Sequence, residues 1–444
     1  LKKWRGCLLL IEMTRTRRKV QTKQKRKRRR SHEEIEVARD LSVDRTQVCG
    51  ERNDYVQLTE DNTEAMVTDV HTNEDNLLTP TLTEEELWFL DGYTGSGDPL
   101  SLLAHICVDR TIQSWQQFLN RFSSRKFSKI GEGTFSEVYE THSQDLSKIV
   151  LKVIPVEMNE LKSGKLKTLS NILPEVLIYK EIGTLSTEAR FTTPCFIGTN
   201  RIHLVRGKCP KVFTLAWKKF AAKRSHYNDS PEVFDDKQYF IIFETSHGGV
   251  NLENFKFKRF SQAISVFVQT TLSLAIAERV LFFEHRDLHV GNILIETVPT
   301  SLPIKFIFRD QKMDVRSHGV QISIIDFSLS RLSKGIAVIR TDLSMEKNLF
   351  CGRGDYQFDI YRMMKRENCN DWRKFTPRSN VLWLHYLLLY LCEPINYPRK
   401  TLPSMQRMRY VHETVLPAVL DCGSANEVFE HEQLRELFAN EIII

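Results

Sequence analysis

The feature that most constrains the fold is a polar loop at residues 284–294, which reads Glu-His-Arg-Asp-Leu-His-Val-Gly-Asn-Ile-Leu. Asp287 and Asn292 are five positions apart in it. In loops of this pattern the Asp accepts a proton from a hydroxyl group and the Asn ligates a metal ion. A buried strand further along the chain ends in a second candidate metal ligand, Asp326. The sequence therefore predicts a pair of strands, at 293–295 and 322–325, that presents Asn292 and Asp326 together.

A glycine-rich hairpin and a strand lysine precede this loop. Phosphoryl transfer is catalysed mainly by positioning and charge, so a hairpin that covers the phosphates of ATP and a lysine that neutralises them are both required. Lys152 lies in the strand-like segment Ile149–Val153. The hairpin would be formed by Ile130, Gly131, Glu132, Gly133, Thr134, Phe135, Ser136, Glu137 and Val138. Motifs in this order predict an α+β, two-lobed protein kinase fold that uses ATP and Mg²⁺.

A helix carboxylate should hold Lys152 in place. The helical-looking stretch that follows contains Pro174, which suits a first helical turn and places Glu175 near the start of the helix. Glu175 is the preferred partner. In the alternative, Glu175 is a solvated acid favoured by the helix dipole, and Glu181 or Glu188 pairs with the lysine.

Several segments resemble the haspin family of atypical serine/threonine protein kinases. They are Leu-Pro-Glu ending at Glu175, the loop 284–292, and the segments 323–332, 354–365 and 379–386. The similarity extends over roughly residues 100 to 444. It implies a kinase that acts in the nucleus, on chromosomes, as a monomer. Its implied substrate is a threonine near the N-terminus of histone H3, phosphorylated during mitosis or meiosis.

Two positions differ from ordinary kinases but are normal for the resembled family. His289 stands two residues after the catalytic Asp, where a Lys is usual, and Ser328 replaces the Gly after Asp-Phe. We expect His289 to contribute to catalysis and to substrate binding. An Ala-Pro-Glu segment is also missing after Asp326. The sequence therefore predicts activity without phosphorylation of an activation loop.

The remaining nucleotide contacts are expected after the strand Ile241–Phe243. Thr245 takes the place of a bulky aromatic residue of the family, which predicts a deeper apolar pocket. Asn251 replaces a family Asp and would hydrogen-bond a ribose hydroxyl without carrying charge. The expected contacts in this segment are Glu244, Ser246, Gly248 and Asn251.

Acidic residues are expected to face a basic substrate tail. The candidates are Glu253, Glu346 and Asp355. Neighbouring Lys347, Asn348 and Arg353 dilute their negative field. We therefore expect weaker selection for basic residues beside the acceptor than is typical of the resembled family.

Two other functions fit parts of the sequence. A nucleotide-binding pseudokinase could dock on chromatin through its basic arm, but the presence of Lys152, Asp287, Asn292 and Asp326 together argues against it. A phosphotransferase for a small molecule is disfavoured by the match at residues 355–365.

The charge is unevenly distributed. The net charge is +7 over 444 residues, yet residues 1–30 hold fourteen Lys and Arg with one acid, so the remainder is net acidic. Residues 14–30 predict a disordered basic arm for nuclear import or contact with DNA or nucleosomes, or else a solvated run without a partner. The acidic stretch 51–86 is also predicted to be disordered. The predicted organisation is an extension at 1–98 and a kinase domain at 99–444, with lobes at about 99–250 and 251–444.

Three further features complete the expectations. The nine cysteines are scattered, which indicates free thiols in a reducing compartment. The apolar run Ala263–Phe283 is interrupted by polar residues and is predicted to be a buried helix, with no membrane anchor. Residues 299–319 form a charged insertion of unknown role.

Overall fold

The computed structural model describes residues 99–122, 126–157, 166–344, 346–393, 396–397 and 401–443. The predicted basic arm at 14–30 and the acidic stretch at 51–86 lie outside these ranges. Both therefore stay predictions.

The first lobe is built on a mixed sheet, in the order β1-β7-β8-β4-β3-β2 with β5 beside β4. The strands of this half of the chain are β1 (Gln113–Ser114), β2 (Ser128–Gly133), β3 (Ser136–His142), β4 (Lys148–Glu157), β5 (Lys167–Thr168), β6 (Phe191–Thr192), β7 (Thr199–Arg206) and β8 (Tyr239–Ser246). The helices are α1 (Pro99–Ile106), α2 (Trp115–Leu119), α3 (Leu169–Thr184) and α4 (Lys211–Ala221).

Strand alternation gives this sheet two different faces. Lys152 of β4 pairs with Val138 and Phe243, so these side chains share one face. The neighbouring Leu151 belongs to the opposite face, which is covered by an aromatic cluster from α2 and α4 that includes Phe213. The lysine face is therefore left for the second lobe and for a ligand.

The second lobe is mainly helical. Its helices are α5 (Phe260–Leu281), α6 (Lys347–Cys351), α7 (Gln357–Glu367), α8 (Arg378–Leu391), α9 (Leu402–Tyr410), α10 (Leu416–Asp421), α11 (Ala425–Glu430) and α12 (Arg435–Ala439). Within the described residues, α5 is the single helix long and apolar enough to cross a membrane, but 94% of that apolar stretch is buried inside the protein. It is the central core helix, as predicted.

The strands of the second lobe position the loops of the site. They are β9 (Val250–Asn251), β10 (Ile293–Thr297), β11 (Pro303–Phe308), β12 (Gln311–Arg316), β13 (Val320–Ile324), β14 (Arg331–Lys334), β15 (Ala337–Arg340) and β16 (Ile442–Ile443). The predicted pair is present: β10 lies antiparallel to β13, with Ile293 opposite Ile324. The charged insertion is the hairpin β11–β12, which joins β6 and β16 in a four-stranded sheet.

Two sequence predictions about the first lobe were incomplete or wrong. Helix α3 begins at Leu169, because the Thr168 hydroxyl accepts a hydrogen bond from the Asn171 amide at 3.2 Å and caps the helix. Pro174 therefore lies inside the helix, and Glu175 is not a first-turn acid. The lobe also contains α1, α2 and α4, which the strand pattern did not predict. The α+β, two-lobed architecture itself is confirmed.

Candidate active site

The antiparallel strands β10 and β13 bring the ends of two distant loops together. The Ile325 amide donates to the Asn292 carbonyl at 3.0 Å, so Asn292 and Asp326 lie at the same end of the strand pair. The side-chain amide of Asn292 in turn donates to the backbone carbonyl of Asp287 at 2.8 Å. His285 ties the loop further, because its Nε2 donates to the Ile325 carbonyl at 3.1 Å and its Nδ1 accepts from the Asp287 amide at 3.3 Å. Burial lowers the pKa of His285 to about 4, which keeps this bridge neutral.

Asp287 is surrounded by groups that orient its carboxylate. The Tyr361 hydroxyl of α7 donates to Oδ1, and the His289 Nε2 lies 3.9 Å from the same oxygen. Because the His289 Nδ1 accepts from the Gly291 amide at 3.0 Å, the neutral ring carries its proton on Nε2. Burial raises the pKa of Asp287 to about 6, although the hydrogen bonds oppose it. A carboxylate poised in this range is suited to accept a proton near neutral pH.

Lys152, Lys167, Glu175 and Asp326 form a compact set of alternating charges. The Lys152 Nζ lies 2.8 Å from Glu175 Oε1 and 3.1 Å from Asp326 Oδ1. The Lys167 Nζ lies 2.8 Å from Glu175 Oε2, so the fully buried Glu175 has two cationic partners. Burial raises the pKa of Glu175 and of Asp326, but the two lysines outweigh it and hold both below their usual values. Glu175 and Asp326 are therefore ionised at neutral pH, and their charges raise the pKa of Lys152 despite its burial.

The backbone of the site is strained and locally braced. Arg286 and Asp326 both adopt φ of +66°, a left-handed conformation that is uncommon for residues other than glycine. The Arg286 guanidinium is completely buried and donates to the Glu284 carboxylate at 3.1 and 3.2 Å. The Thr376 amide donates to the same carboxylate at 2.7 Å. The arginine of the loop thus has an internal anionic partner in place of a phosphate group.

The segment after Asp326 also fixes helix α3. It forms the hairpin β14–β15, which packs against α3. The Lys334 Nζ of this hairpin lies 2.7 Å from the Glu181 carboxylate, which is fully buried in the helix. Of the three acids considered from sequence, Glu175 is therefore the one that the structure brings to Lys152, while Glu181 pairs with Lys334.

The glycine-rich hairpin covers the site with its backbone and with only some of its side chains. The predicted residues Ile130 to Val138 lie along β2 and β3 and their turn. Val138 pairs with Lys152 and shares its face of the sheet. Glu132 and Glu137 pair with each other and project to the opposite face, toward Lys129. Any contact of Glu132 and Glu137 with a nucleotide would therefore involve their backbone, and the predicted contacts of this hairpin stay predictions.

The end of β8 presents its side chains alternately to the two faces of the sheet. The Glu244 side chain projects away from Lys152 and lies 3.4 Å from His203, so the predicted nucleotide contact can involve its backbone alone. The aromatic residue beside Lys152 is Phe243, which is completely buried and packs on Tyr179 at 4.6 Å between ring centroids. Thr245 lies two residues further along the same face of β8, opposite Val150, and the deeper pocket expected there stays a prediction.

Close backbone packing positions the rest of this segment. Gly249 has φ of +91°, and a Cβ there would lie 2.1 Å from the Ile295 carbonyl oxygen. At Gly248 a Cβ would lie 2.8 Å from the Leu294 side chain. The Ser246 amide donates to the Gly198 carbonyl at 2.9 Å. The carboxamide oxygen of Asn251 accepts hydrogen bonds from Asn254. The side-chain NH₂ group of Asn251 can therefore donate to the expected ribose hydroxyl.

The predicted substrate residues Glu253, Glu346 and Asp355 are all exposed. Burial raises the pKa of the Tyr386 phenol, and Asp355 and Glu253 raise it further, so both carboxylates lie near this side chain. Glu346 is exposed at the start of α6, next to the exposed Lys347. The Arg353 side chain is exposed as well, so positive charge accompanies the acids.

The oxygen donors of the site fit Mg²⁺. Asp326 offers a carboxylate, and Asn292 offers its carboxamide oxygen because its amide is already hydrogen-bonded to Asp287. Among the described residues, no group of three His, Cys, Asp or Glu could hold a metal by itself. Mg²⁺ is commonly bound by one or two protein oxygens together with phosphates and water, so this small donor set suits it.

The motifs did not reveal Lys167 and Tyr361. Lys167 is only eight residues from Glu175 but lies on a separate strand, and helical spacing therefore gives no signal for the pair. Tyr361 lies in the segment 354–365 that carried the family resemblance, yet its contact with Asp287 spans 74 residues. The seven described cysteines are all free, in line with the expected thiols.

The protein kinase fold is defined by two lobes: a β-rich lobe, in which a helix carboxylate pairs with a strand lysine, and a helical lobe that carries the Asp and Asn residues of the site. A family model described as "Haspin like kinase domain" matches residues 100–439. The chain belongs to the haspin-like kinase family.

Curated relatives are similar over the same region. A mouse protein named serine/threonine-protein kinase haspin is 41% identical over 297 residues, which cover 65% of this chain and 39% of the relative. A Drosophila melanogaster haspin homolog is 38% identical over 276 residues, covering 61% of this chain and 49% of the relative. An Arabidopsis thaliana haspin homolog is 34% identical over 334 residues, covering 73% of this chain and 54% of the relative. The chain thus spans about half or less of the length of these relatives.

Proposed function

We propose that this chain is an ATP-dependent protein kinase that phosphorylates serine or threonine hydroxyls. The observation that carries the proposal is the connected set of Asp287, Asn292, Asp326, Lys152 and Glu175, joined by contacts of 2.8 to 3.1 Å and by the strand pair β10–β13. A docking module that does not catalyse has no chemical need for this arrangement. The pseudokinase alternative is therefore disfavoured.

The proposed roles follow from the positions of the charges. Asp287 accepts the proton of the substrate hydroxyl while the hydroxyl oxygen bonds to the γ-phosphorus and the bond to ADP breaks. Tyr361 donates to Oδ1 of this carboxylate, whereas Oδ2 has only a long contact of 3.5 Å from the Asn292 side-chain amide, so Oδ2 is the oxygen more available to the substrate. Lys152 turns toward the phosphates, and Glu175 orients it. Asn292 and Asp326 would hold Mg²⁺, which neutralises charge on the phosphates when bound.

The internal contacts of the site support activity without prior phosphorylation. In many kinases an activation loop is ordered by contacts between arginine and a phosphate group. Here Arg286 is paired with Glu284, and α3 is held by Lys334 through Glu181. Both arrangements exist without a modified residue.

We further propose that the substrate is the N-terminal tail of histone H3, phosphorylated in the nucleus during mitosis or meiosis by a monomeric enzyme. The family membership and the exposed acids Glu253 and Asp355 support a basic peptide as substrate. The basic arm at residues 14–30 would add nuclear import and contact with DNA or nucleosomes.

The decisive experiment uses a histone H3 tail peptide and labelled ATP. Wild-type protein should phosphorylate the peptide, and Asp287→Asn and Asp326→Ala should each lower kcat by about a hundredfold or more while the melting temperature stays similar. Full activity in either variant would refute the assigned roles. Nucleotide binding without any transfer would favour the pseudokinase.

A further inference from the structure

Residues 217–228, which lie between β7 and β8, contact the glycine-rich hairpin on the face of the sheet opposite to Lys152. The Lys129 side chain of β2 is completely buried there, 2.6 Å from the Glu132 carboxylate. Its Nζ also lies 4.5 Å from the ring centroid of Phe220 and 5.5 Å from that of Trp217. One cation thus connects the hairpin to helix α4.

Asn228 makes the contact nearest to the tip of the hairpin. Its amide nitrogen donates to the carbonyl oxygens of Gly133 at 3.1 Å and of Ser136 at 3.2 Å. These two residues pair with each other across the turn, so one side chain joins both ends of it. The preceding Tyr227 amide donates to the Glu132 carboxylate at 2.6 Å.

Among the described residues, a cavity of about 420 Å³ lies directly behind the turn, lined among others by Thr134, Phe135, Phe213 and Phe240. The turn is also tight, since a Cβ at Gly133 would lie 2.6 Å from the Ser136 hydroxyl. Without the two hydrogen bonds of Asn228, the tip would have room to move back into the cavity and away from the nucleotide face.

We propose that Asn228 is a positioning residue that holds the hairpin tip in its nucleotide-binding conformation before ATP arrives. A mobile loop loses conformational entropy when a ligand orders it, and this loss weakens binding. A tip that is already fixed avoids most of that loss. The inference deepens the proposed function and rests on it, because it assumes that the hairpin covers the phosphates of ATP.

The test compares Asn228→Ala and Asn228→Asp with wild-type protein. Both variants remove the amide donor, and the Asp variant also places a carboxylate against two carbonyl oxygens. The dissociation constant of the non-hydrolysable analogue β,γ-imido-ATP should rise about tenfold. KM for ATP should rise in parallel, while kcat at saturating ATP changes less than about twofold. Amide hydrogen exchange at residues 131–137 of the nucleotide-free protein should become faster.

Asn396→Ala is the matched control. Asn396 also donates its amide to a backbone carbonyl, that of Tyr390 at 2.8 Å, in a loop of the second lobe. This variant should leave nucleotide affinity and exchange of the hairpin unchanged. If Asn228 had only a structural role, its variants would lower the melting temperature and kcat without a change in nucleotide affinity.

The outcomes separate the two proposals. The role of Asn228 alone would be overturned if the wild-type protein phosphorylated the peptide while the Asn228 variants kept the wild-type nucleotide affinity and the wild-type rate of amide hydrogen exchange in the hairpin. Wild-type protein that binds no β,γ-imido-ATP would overturn the proposed function and this inference with it.

Discussion

Replacing Lys167 by Ala tests the charge set that surrounds Glu175. Glu175 is completely buried and, among the described residues, would keep only Lys152 as a cationic partner, so its charge would be partly compensated. Loss of an exposed ion pair costs up to about 1 kcal/mol, and removal of the only partner of a buried charge costs about 3 to 5 kcal/mol. Lys167 is mostly buried, with 16% of its side chain exposed, and we expect an intermediate loss of about 2 kcal/mol.

The consequences for melting and for catalysis can be measured separately. In a domain that spans residues 100–439, a loss of 2 kcal/mol should lower the melting temperature by about 3 °C, because the entropy of unfolding is about 2.1 cal/mol/K per residue. Lys152 should also be held more tightly by Glu175 and be less available to the phosphates. We expect kcat/KM for ATP to fall about tenfold, and Lys167→Arg to restore most of it.

Lys148→Ala is the control for a lost lysine in the same sheet. The Lys148 side chain is 54% exposed and lies 3.4 Å from Glu140, so its removal should have little effect. Calorimetry and steady-state kinetics on the three variants give the comparison. If Lys167→Ala matched Lys148→Ala both in melting temperature and in kcat/KM for ATP, Lys167 would have no role in compensating the charge of Glu175.

Four other predictions concern acidity, control, docking and specificity. Because burial raises the pKa of Asp287 to about 6 and the base must be ionised, kcat should fall as the pH is lowered through about 6. A pH–rate profile measures this, and a flat profile down to pH 5 would contradict it. Because Arg286 has an internal partner, protein made in bacteria and treated with phosphatase should already be active in the peptide assay; a need for an upstream kinase would contradict this. Deletion of residues 14–30 should weaken nucleosome binding and flatten its dependence on salt without changing peptide phosphorylation; equal affinity with and without the arm would leave it a solvated charge run. Replacing the flanking Arg and Lys of the peptide by Ala should lower kcat/KM by less than about a hundredfold, and Arg353→Asp with Asn348→Asp should increase that selectivity; a larger loss in wild-type protein would show that its acidic pocket is strong.

The central part of the site could be predicted because its geometry follows from short-range spacing. Asn292 directly precedes β10 and Asp326 follows β13 by two residues, so antiparallel pairing alone brings them to the same end. The alternation of β4 likewise fixes the face on which Lys152 lies. The same alternation, applied to the neighbouring strands, would have shown that Glu137 and Glu244 face away from it.

The parts that could not be predicted depend on the closure of the whole fold. The contact between Tyr361 and Asp287 forms only when α7 packs beside the catalytic loop, and no local pattern specifies that packing. The bracing of the hairpin by Asn228 spans 95 residues to Gly133. The start of α3 was missed for a different reason, because Pro174 gave a stronger local signal than the Thr168 cap that ends the preceding strand.

The four-stranded sheet of the second lobe has a consequence for biosynthesis. It joins Phe191 to Phe308 and Val315 to Ile442, so β6 leaves the ribosome long before its partners exist. Contacts so distant in sequence form slowly, and strand edges that wait for partners can pair with other chains. A chain trimmed before residue 442 would leave the edge of β12 open. Such a chain should aggregate more readily than the whole sequence, even though every residue of the catalytic loop is present.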